Sequence, residues 1–295
     1  MDAAQAWARY WSAGQTDSCF SGAAPFDGSP RWNAFFRTLE SGARVIDLAC
    51  GGGALTRLAV AHDRGFQVTG VDFAESAPAI EGAVIRSGVA LERLDFEDAA
   101  FDAAVSQFGL EYAETGPAVR EIARVLRPGG RFAFLMHHAD SAVSRGALSR
   151  RERLAPLLAE EGPVRRAVRL GELRAQGREA PDLLQSIKED FVAARAAVHD
   201  EASAWAYGYL GEVMSKHRQF PPAYLQENAA TLLAELESMA LRLDQMLGAA
   251  RSAADVNGLV DSLAALGCLT ETPETVADDR GELVAWWVRG RRSAR

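Results

Sequence analysis

The segment that decides the fold is VIDLACGGGALTRL, residues 45–58, in which three consecutive glycines separate an apolar run from a helical pattern. Glycine loses more conformational freedom on folding than other residues, so three in a row indicate that the bare backbone has a use. The residues before Gly51 are typical of a buried strand, and those after Gly53 are typical of a helix. The segment therefore predicts a strand, a glycine turn and a helix. The turn is a tight bend, a phosphate cradle or the contact surface of another ligand.

Composition limits the classes of protein to which the chain can belong. Its 295 residues, 48% of them hydrophobic, can fill one enlarged domain or two small ones. A net charge of −8 argues against nucleic acid as a partner, because phosphate backbones require clustered positive surface. No apolar run is long enough for a membrane span, and the first residues lack a secretory signal. Three scattered cysteines predict neither a disulfide framework nor a metal site, so we expect a soluble, cytoplasmic protein.

Strand and helix patterns alternate over the first half of the chain. The predicted helices cover residues 54–65, 75–88 and 115–127, and the strands cover residues 43–49, 66–72, 90–96, 101–110 and 131–138. This alternation predicts an α/β fold with a mostly parallel sheet and helices on both faces. Ligands of such sheets bind at the carboxyl ends of the strands, near the point where the strand order reverses.

The second half of the chain follows a different pattern. Residues 139–250 carry no strand signal and predict a bundle of helices. A helix over 255–266 and strands over 268–276 and 282–292 follow, and the polar residues 277–281 predict an antiparallel pair. We therefore interpret the bundle as an all-helical insertion into one α/β domain, with the chain returning to complete the sheet.

The residues around the glycine turn decide between its three uses. A P-loop requires a lysine after the last glycine, and Ala54 follows instead. A dinucleotide site requires a third spaced glycine, where Thr56 stands. Asp72 ends the next strand about twenty residues later, where a carboxylate can bind ribose hydroxyls. The remaining candidate is S-adenosylmethionine, a nucleoside without phosphates that carries an amino-acid tail.

Five motifs follow one another along the chain, at residues 45–53, 71–74, 94–96, 101–110 and 125–132. By these motifs the chain resembles the class I S-adenosylmethionine-dependent methyltransferases. Ala49 stands where many members of the family carry glycine. The resemblance implies a Rossmann-like methyltransferase sheet, mostly parallel with the last strand antiparallel. It divides the chain into a helical lid segment (1–40), the cofactor-binding domain (41–138 and 251–295) and the insertion (139–250).

The resemblance also implies roles for individual residues. The turn from Ala49 through Gly51 to Gly53 would lie against the methionine and ribose portions of the cofactor. The remaining implied contacts are Asp47 with the amino group, Asp72 with the ribose, Phe73 beside the adenine, Asp95 and the backbone N–H of Phe96 with the adenine edge, and Gln107 with the methionine portion.

Candidate acceptor-site residues follow the fourth and fifth strands. His137 and His138 could act as a base or orient an acceptor, and strand alternation predicts that one of them faces the site. The alternative for either histidine is a hydrogen bond to a nearby carbonyl. Glu111 and Tyr112 are candidates for acceptor binding, with ordinary helix-start chemistry as their alternative. Methyl transfer requires no acid for its leaving group, so the sequence need not contain a catalytic triad.

Aromatic residues near the N-terminus form a further group. Trp7 and Trp11 lie four residues apart, so one helical face carries both, and Tyr10 and Phe20 lie close by. In similar enzymes a segment before the first strand often closes over the cofactor, which makes Tyr10 and Trp11 candidate substrate contacts. Simple packing against the domain is the alternative.

The insertion carries two patterns of its own. From Arg145 to Arg178 nine arginines stand against four glutamates, which indicates a site for an acidic acceptor, a solvated face of ion pairs or an RNA surface. Residues 224–248 carry an apolar seam with spacings of four and three, which predicts either a homodimer contact or packing within the bundle. The sequence as a whole predicts methyl transfer to a small-molecule acceptor by in-line displacement, with the acceptor held between sheet edge and insertion. The alternatives are an RNA or protein methyltransferase, and a cofactor-binding protein without transferase activity.

Overall fold

The structure is a computed structural model that describes residues 3–12, 26–197, 201–216 and 218–294. It divides into two compact units. The first unit comprises Met1–Gly146 and Gln245–Arg295, and the second comprises Ala147–Asp244. The helices are α1 (Ala3–Ser12), α2 (Ser29–Phe36), α3 (Ala54–Val60), α4 (Thr115–Val125), α5 (Ala142–Leu158), α6 (Pro163–Ala175), α7 (Pro181–Ala197), α8 (Glu201–Lys216), α9 (Pro222–Ala249) and α10 (Ala253–Ala265).

The first unit contains a mixed sheet. Its strands are β1 (Arg44–Leu48), β2 (Gln67–Asp72), β3 (Ala83–Ser87), β4 (Phe101–Gln107), β5 (Leu126–His137), β6 (Cys268–Thr270), β7 (Glu274–Ala277) and β8 (Leu283–Arg292). The strand order is β3-β2-β1-β4-β5-β8-β6, and β7 also pairs with β8. The first five strands pair in parallel, and β8 pairs antiparallel with β5, β6 and β7. The predicted fold class, a mostly parallel sheet with antiparallel last strands and an all-helical segment, is confirmed.

The core of the first unit explains why these segments form central strands. Ile46 and Leu48 of β1 and Phe132 and Phe134 of β5 are fully buried. Near-continuous apolar runs are expected for parallel strands that are covered on both faces. The hydrophobic effect of burying each such side chain contributes about 2 kcal/mol. The strand order reverses between β1 and β4, so the carboxyl ends of these strands flank the switch point of the sheet.

Three predicted elements differ from the structure. The third strand is β3, which lies inside the predicted helix 75–88, whereas residues 91–96 form turns and bends. Pro78 and the left-handed Gly82 disfavour a helix, and the β-branched Val84 and Ile85 favour a strand. The predicted strand 268–276 is interrupted between β6 and β7, where Pro273 offers no backbone N–H to a ladder.

The strand β5 also begins earlier than predicted. It starts at Leu126, so Pro128, Gly129 and Gly130 belong to the strand, with an irregular register opposite Phe101. Gly129 adopts a left-handed φ of 77°. The predicted stop signal therefore ends α4 at Val125 and bends the start of the strand rather than forming a separate loop.

The described residues of the second unit form helices joined by short turns, without a strand. Its predicted breaks coincide with the gaps between helices near residues 162, 177–181 and 221. Six members of the predicted seam on α9 are buried within the chain: Leu225, Ala229, Leu232, Leu236, Leu243 and Met246. This burial favours packing within the chain for the seam, and a homodimer through 224–248 stays a prediction. In the described part of the chain, none of the helices combines the length and apolar character that membrane spanning requires.

Candidate active site

A cavity of about 580 Å³ lies at the switch point of the sheet in the first unit. Its wall includes residues at the carboxyl ends of β1 (Asp47 and Ala49 to Gly52), β2 (Asp72 to Ala74) and β4 (Gln107 to Gly109). Further wall segments come from α1, from residues 90–92 and 111–114, and from residues 245–251. Small-molecule sites in proteins have volumes of about 300–1,000 Å³, so the cavity has the size of a ligand site.

The glycine turn beside the cavity has residues with a left-handed backbone conformation. Gly51 and Gly53 adopt left-handed φ values of 50° and 82°, which glycine reaches without a steric penalty. Ala49 and Phe108, which follow β1 and β4, adopt φ values of 54° and 55°. Left-handed conformations of residues with a side chain cost about 1–3 kcal/mol and cluster at functional sites. The two strands that flank the switch point therefore end in matching strained turns.

The turns after β1 and β4 are fastened to each other. A Cβ atom on Gly109 would lie 2.6 Å from Ala49 Cβ and 3.0 Å from Ala49 O, so only glycine permits this approach. The Ser106 hydroxyl donates to Leu48 O at 2.8 Å and accepts from Leu110 N at 3.0 Å. Sequence reasoning missed Ser106 and Gly109, although a small residue directly after a strand is a signal of close backbone approach.

Asp72 lies where its position in the sequence predicted, at the carboxyl end of β2 and in the cavity wall. Its Oδ2 accepts from Gly51 N at 2.7 Å, and its Oδ1 accepts from Ala74 N at 2.8 Å. Burial raises the pKa of this carboxyl, and the two backbone N–H groups oppose the shift. Because a carboxylate offers about four acceptor positions, each oxygen can still accept from a ligand hydroxyl.

Asp47 forms a second buried carboxyl group in the wall. It is 1% exposed, and Thr56 Oγ1 donates to its Oδ2 at 2.6 Å. Burial raises the pKa of Asp47 to about 7, opposed by the Thr56 hydrogen bond and reinforced by the nearby Asp72 charge. Thr56 stands where a dinucleotide site would carry its third glycine, and the structure shows that its hydroxyl holds Asp47.

Gln107 and two tryptophans complete the predicted part of the wall. Gln107 Oε1 accepts from Trp32 Nε1 at 2.5 Å, which leaves the amide NH₂ as the available end. The rings of Trp7 and Trp11 on α1 stack with centroids 5.7 Å apart, and both line the cavity. A Cβ atom on Gly51 would lie 2.6 Å from Trp11 Cζ2, so the bare glycine admits the indole ring.

The other aromatic residues near α1 differ in their position relative to the cavity. The Tyr10 ring meets Trp11 at 4.8 Å but does not line the cavity. Tyr112 lines the cavity and meets the edge of Trp7 at 5.5 Å. Phe20 lies outside the described residues. The aromatic group thus contributes Trp7, Trp11 and Tyr112 to the wall.

The structure places neither predicted histidine in the cavity wall. His137 is fully buried, with Nδ1 2.7 Å from Glu111 Oε1. His138 stacks on Trp286 at 4.6 Å and accepts from Asp140 N at 3.0 Å. Burial lowers the pKa of His138. The expectation that one histidine faces the site is therefore not met, and Glu111 stands between His137 and the cavity.

Three predicted cofactor contacts also lie outside the wall. Asp95 is exposed, and the Phe96 ring packs 4.4 Å from the Arg86 guanidinium. Gly53 caps α3 behind the two glycines that line the cavity. The displacement of Asp95 and Phe96 follows from the position of β3, which ends at Ser87 and brings residues 90–92 to the wall instead.

Comparison with known proteins identifies the class of domain. Residues 46–134 match the model of a family described as a methyltransferase domain. The chain is 40% identical over 102 residues to a demethylmenaquinone methyltransferase of Corynebacterium kroppenstedtii (31% of this chain, 41% of the relative). It is 36% identical over 130 residues to a 2-phytyl-1,4-naphtoquinone methyltransferase of Synechococcus elongatus (39% and 53%). It is 38% identical over 103 residues to a ubiquinone biosynthesis O-methyltransferase of Idiomarina loihiensis (32% and 42%).

The matched residues, 46–134, are similar to a methyltransferase domain, and S-adenosylmethionine is the cofactor that this similarity indicates. The chain spans about two fifths to one half of the length of these relatives. The cavity suits this cofactor, because it offers a bare turn at Gly51, a buried acceptor group at Asp72 and an aromatic ring at Phe73 that is 55% exposed. It offers no lysine for a phosphate chain among the described residues of its wall.

Proposed function

We propose that the protein transfers a methyl group from S-adenosylmethionine to a small-molecule acceptor inside the switch-point cavity. The observation that carries the proposal is the pairing of Asp72 with the Gly51 turn. Asp72 accepts from Gly51 N at 2.7 Å, so the ribose-binding group and the bare backbone belong to one rigid corner. A corner of this kind positions a nucleoside without any phosphate contact.

Individual residues of the wall would hold the parts of this cosubstrate. Asp72 would accept from the ribose hydroxyls, and Phe73 would lie beside the adenine. Gln107 would direct its amide NH₂ toward the methionine carboxylate, since its Oε1 is already bonded to Trp32. Asp47 would contact the amino group directly or through water. Trp7 and Trp11 on α1 would form the lid of the cavity.

The chemistry requires little more than this placement. The methyl group is activated by the sulfonium before it meets the acceptor, so alignment of donor and acceptor can supply most of the rate. A small aromatic acceptor suits the aromatic wall formed by Trp7, Trp11, Phe108 and Tyr112. The three relatives are named for naphthoquinone, menaquinone and ubiquinone chemistry, which supports an acceptor of this kind.

Calorimetry tests the cofactor half of the proposal. We expect S-adenosylhomocysteine to bind with a dissociation constant in the micromolar range and NAD to show no saturable heat, because the described wall residues include no lysine and their one arginine, Arg251, is bonded to Glu111 O. Transfer of a tritiated methyl group to small phenols then tests the activity. Binding of NAD in preference to S-adenosylhomocysteine would contradict the proposal.

A further inference from the structure

Glu111 is a buried acid that the cofactor contacts do not use. It is 3% exposed and lines the cavity. Its Oε1 accepts from His137 N at 2.7 Å, whereas its Oε2 is buried with no hydrogen-bond partner among the described residues. Buried polar atoms almost always have a partner, so an acceptor oxygen left without one on a residue that lines the cavity calls for a ligand that donates.

Two neighbours hold this carboxyl group in place. His137 Nδ1 lies 2.7 Å from the same Oε1, and since a carboxylate can only accept, Nδ1 carries the proton when Glu111 is ionised. Arg251 Nη2 donates to the backbone O of Glu111 at 2.6 Å. Both the main chain and one oxygen of Glu111 are therefore fixed, and the second oxygen has a defined position.

The charge of the wall restricts what can approach Glu111. Among the described residues that line the cavity, five are acids and one is a base. The base, Arg251, is already engaged with the Glu111 carbonyl. S-adenosylmethionine brings a positive sulfonium into this acidic wall, but an anionic acceptor would face repulsion from several carboxylates at once. A neutral acceptor meets no such penalty. The acidic members are Asp47, Asp72, Glu92, Glu111 and Glu114.

We propose that Glu111 binds the O–H or N–H group of the acceptor through Oε2 and takes its proton, so that acceptors are neutral hydroxyl or amine compounds and not carboxylates or phosphates. This inference rests on the proposed function. The acceptor oxygen or nitrogen forms a bond to the methyl carbon while the carbon–sulfur bond breaks and the sulfur keeps the bonding electron pair. The acceptor proton passes to Glu111, and His137 is a positioning residue that keeps Oε1 occupied.

A matched set of naphthalene probes tests the acceptor class. α-Naphthol, α-naphthylamine, α-naphthoic acid and α-naphthyl phosphate share one ring system and differ in the donor group and charge. We expect tritiated methyl transfer to the naphthol or the naphthylamine, and neither transfer to nor inhibition by the two anions. Methylation of either anion would overturn the inference. No transfer to either neutral probe, with S-adenosylhomocysteine still bound, would overturn it while sparing the cofactor assignment; loss of that binding too would remove the proposed function.

Substitution of Glu111 tests its role directly. Glu111→Gln keeps the shape of the side chain but cannot take a proton, so kcat for the methylated probe should fall about a hundredfold. The dissociation constant of S-adenosylhomocysteine should change by less than about twofold. This is a negligible change in binding free energy, since about 1.4 kcal/mol corresponds to a tenfold change. Glu97→Gln, an exposed carboxylate outside the cavity wall, is the control and should keep full activity. Full activity of Glu111→Gln would overturn the inference.

A second pair of variants separates positioning by His137 from simple packing. His137→Asn keeps an N–H donor near the position of Nδ1, whereas His137→Phe fills the space without one. We expect His137→Phe to lower kcat about tenfold or more with little change in KM, and His137→Asn to recover most of that loss. Equal activity of the two variants would contradict the positioning role, and these variants also keep the inference testable where Glu111→Gln fails to fold.

Discussion

Acidic residues have different surroundings in the two units. Three of those in the cavity wall of the first unit are buried, whereas acids that pair with arginines in the second unit are exposed. In the cavity Asp47, Asp72 and Glu111 are buried, and their oxygens accept from a hydroxyl, backbone N–H groups and an imidazole. In the second unit arginines pair with exposed acids, as Arg165 does with Glu237 at 2.6 Å. Water cannot replace the hydrogen-bond partners of the buried acids, whereas it can replace the partners in the exposed pairs.

This difference indicates which charged residues carry ligand chemistry. The sequence pattern drew attention to the arginines between 145 and 178 as a site for an acidic acceptor. Of these, Arg151 and Arg165 form exposed pairs with acids of the same unit, whereas Arg166, which pairs with Asp190, is itself only 15% exposed. Exposed pairs contribute about 0–1 kcal/mol each, so they support the solvated-face alternative. The acids of the cavity, with a low local dielectric, are the groups whose removal should have large effects.

The largest effect is expected for Asp72→Ala. Two hydrogen bonds from ribose hydroxyls to a carboxylate are worth about 3 kcal/mol together, which corresponds to about a hundredfold loss in affinity for S-adenosylhomocysteine. The substitution also removes the acceptor of Gly51 N, so the turn loses its anchor. Calorimetry measures the change, and Asp72→Asn, which preserves the shape, should lose less. Unchanged binding by the alanine variant would remove the ribose role.

Asp95→Ala sharpens the same comparison within the first unit. The family resemblance assigns Asp95 to the adenine, but the structure leaves its side chain exposed and outside the cavity wall. We therefore expect affinity for S-adenosylhomocysteine to change by less than about threefold, under 0.7 kcal/mol. A loss as large as that of Asp72→Ala would show that the segment 90–96 rearranges when the ligand binds.

The next effect concerns the pH dependence of stability and arises from Asp47. Its pKa is about 7 in the folded protein and 3.8 as an ordinary value, so the folded state binds the proton more tightly. The stabilisation is complete below pH 3.8 and is lost as the pH rises through 7. Between about pH 5 and pH 8 this group should lower the free energy of unfolding by about 2–3 kcal/mol. Urea denaturation of the ligand-free protein should show that Asp47→Asn removes this slope; equal slopes would contradict it.

Most of the fold could be predicted from the sequence because local signals agree with the global arrangement. The apolar runs around Ile46 and Phe134 are too short and too continuous for anything but buried strands. The third strand was missed because a short apolar segment carries little periodicity, and the run at 90–96 resembles a strand as closely as β3 does. Pairing with β2 decided the outcome, and such pairing is a long-range contact that the local pattern does not contain.

The site was predictable where strand ends alone place a residue. Asp47, Asp72 and Gln107 lie at the carboxyl ends of strands that were predicted at the right positions, and all three line the cavity. Asp95 depended on the misplaced third strand and moved with it. The prediction for His137 required one face of β5 to be open to the cavity. His137 is buried instead, and Glu111, from the neighbouring turn, lines the cavity.

A smaller effect on stability is expected for two glycine-to-alanine substitutions, one at the closely packed Gly109 beside the cavity and one at Gly208 on an open helix surface. Gly109→Ala would place a Cβ atom 2.6 Å from Ala49 Cβ and should lower the free energy of unfolding by about 1–2 kcal/mol. Gly208 on α8 of the second unit has nothing within 4 Å of an added Cβ atom. Gly208→Ala should therefore raise stability by about 0.5–1 kcal/mol through the unfolded state. Urea denaturation compares the two; a loss at Gly208 or none at Gly109 would contradict the packing described.

The smallest effect is expected in the second unit, for Arg165→Ala. The side chains of Arg165 and Glu237 are 40% and 46% exposed, so water screens the pair and its two long side chains lose freedom in forming it. The substitution should lower the free energy of unfolding by about 0.5 kcal/mol, and the difference should vanish near 1 M salt, where the screening length is about 3 Å. A loss above about 2 kcal/mol that persists in salt would give these arginines the structural weight of the buried cavity acids. Burial would then not explain why charged residues of the two units differ in their contribution to stability.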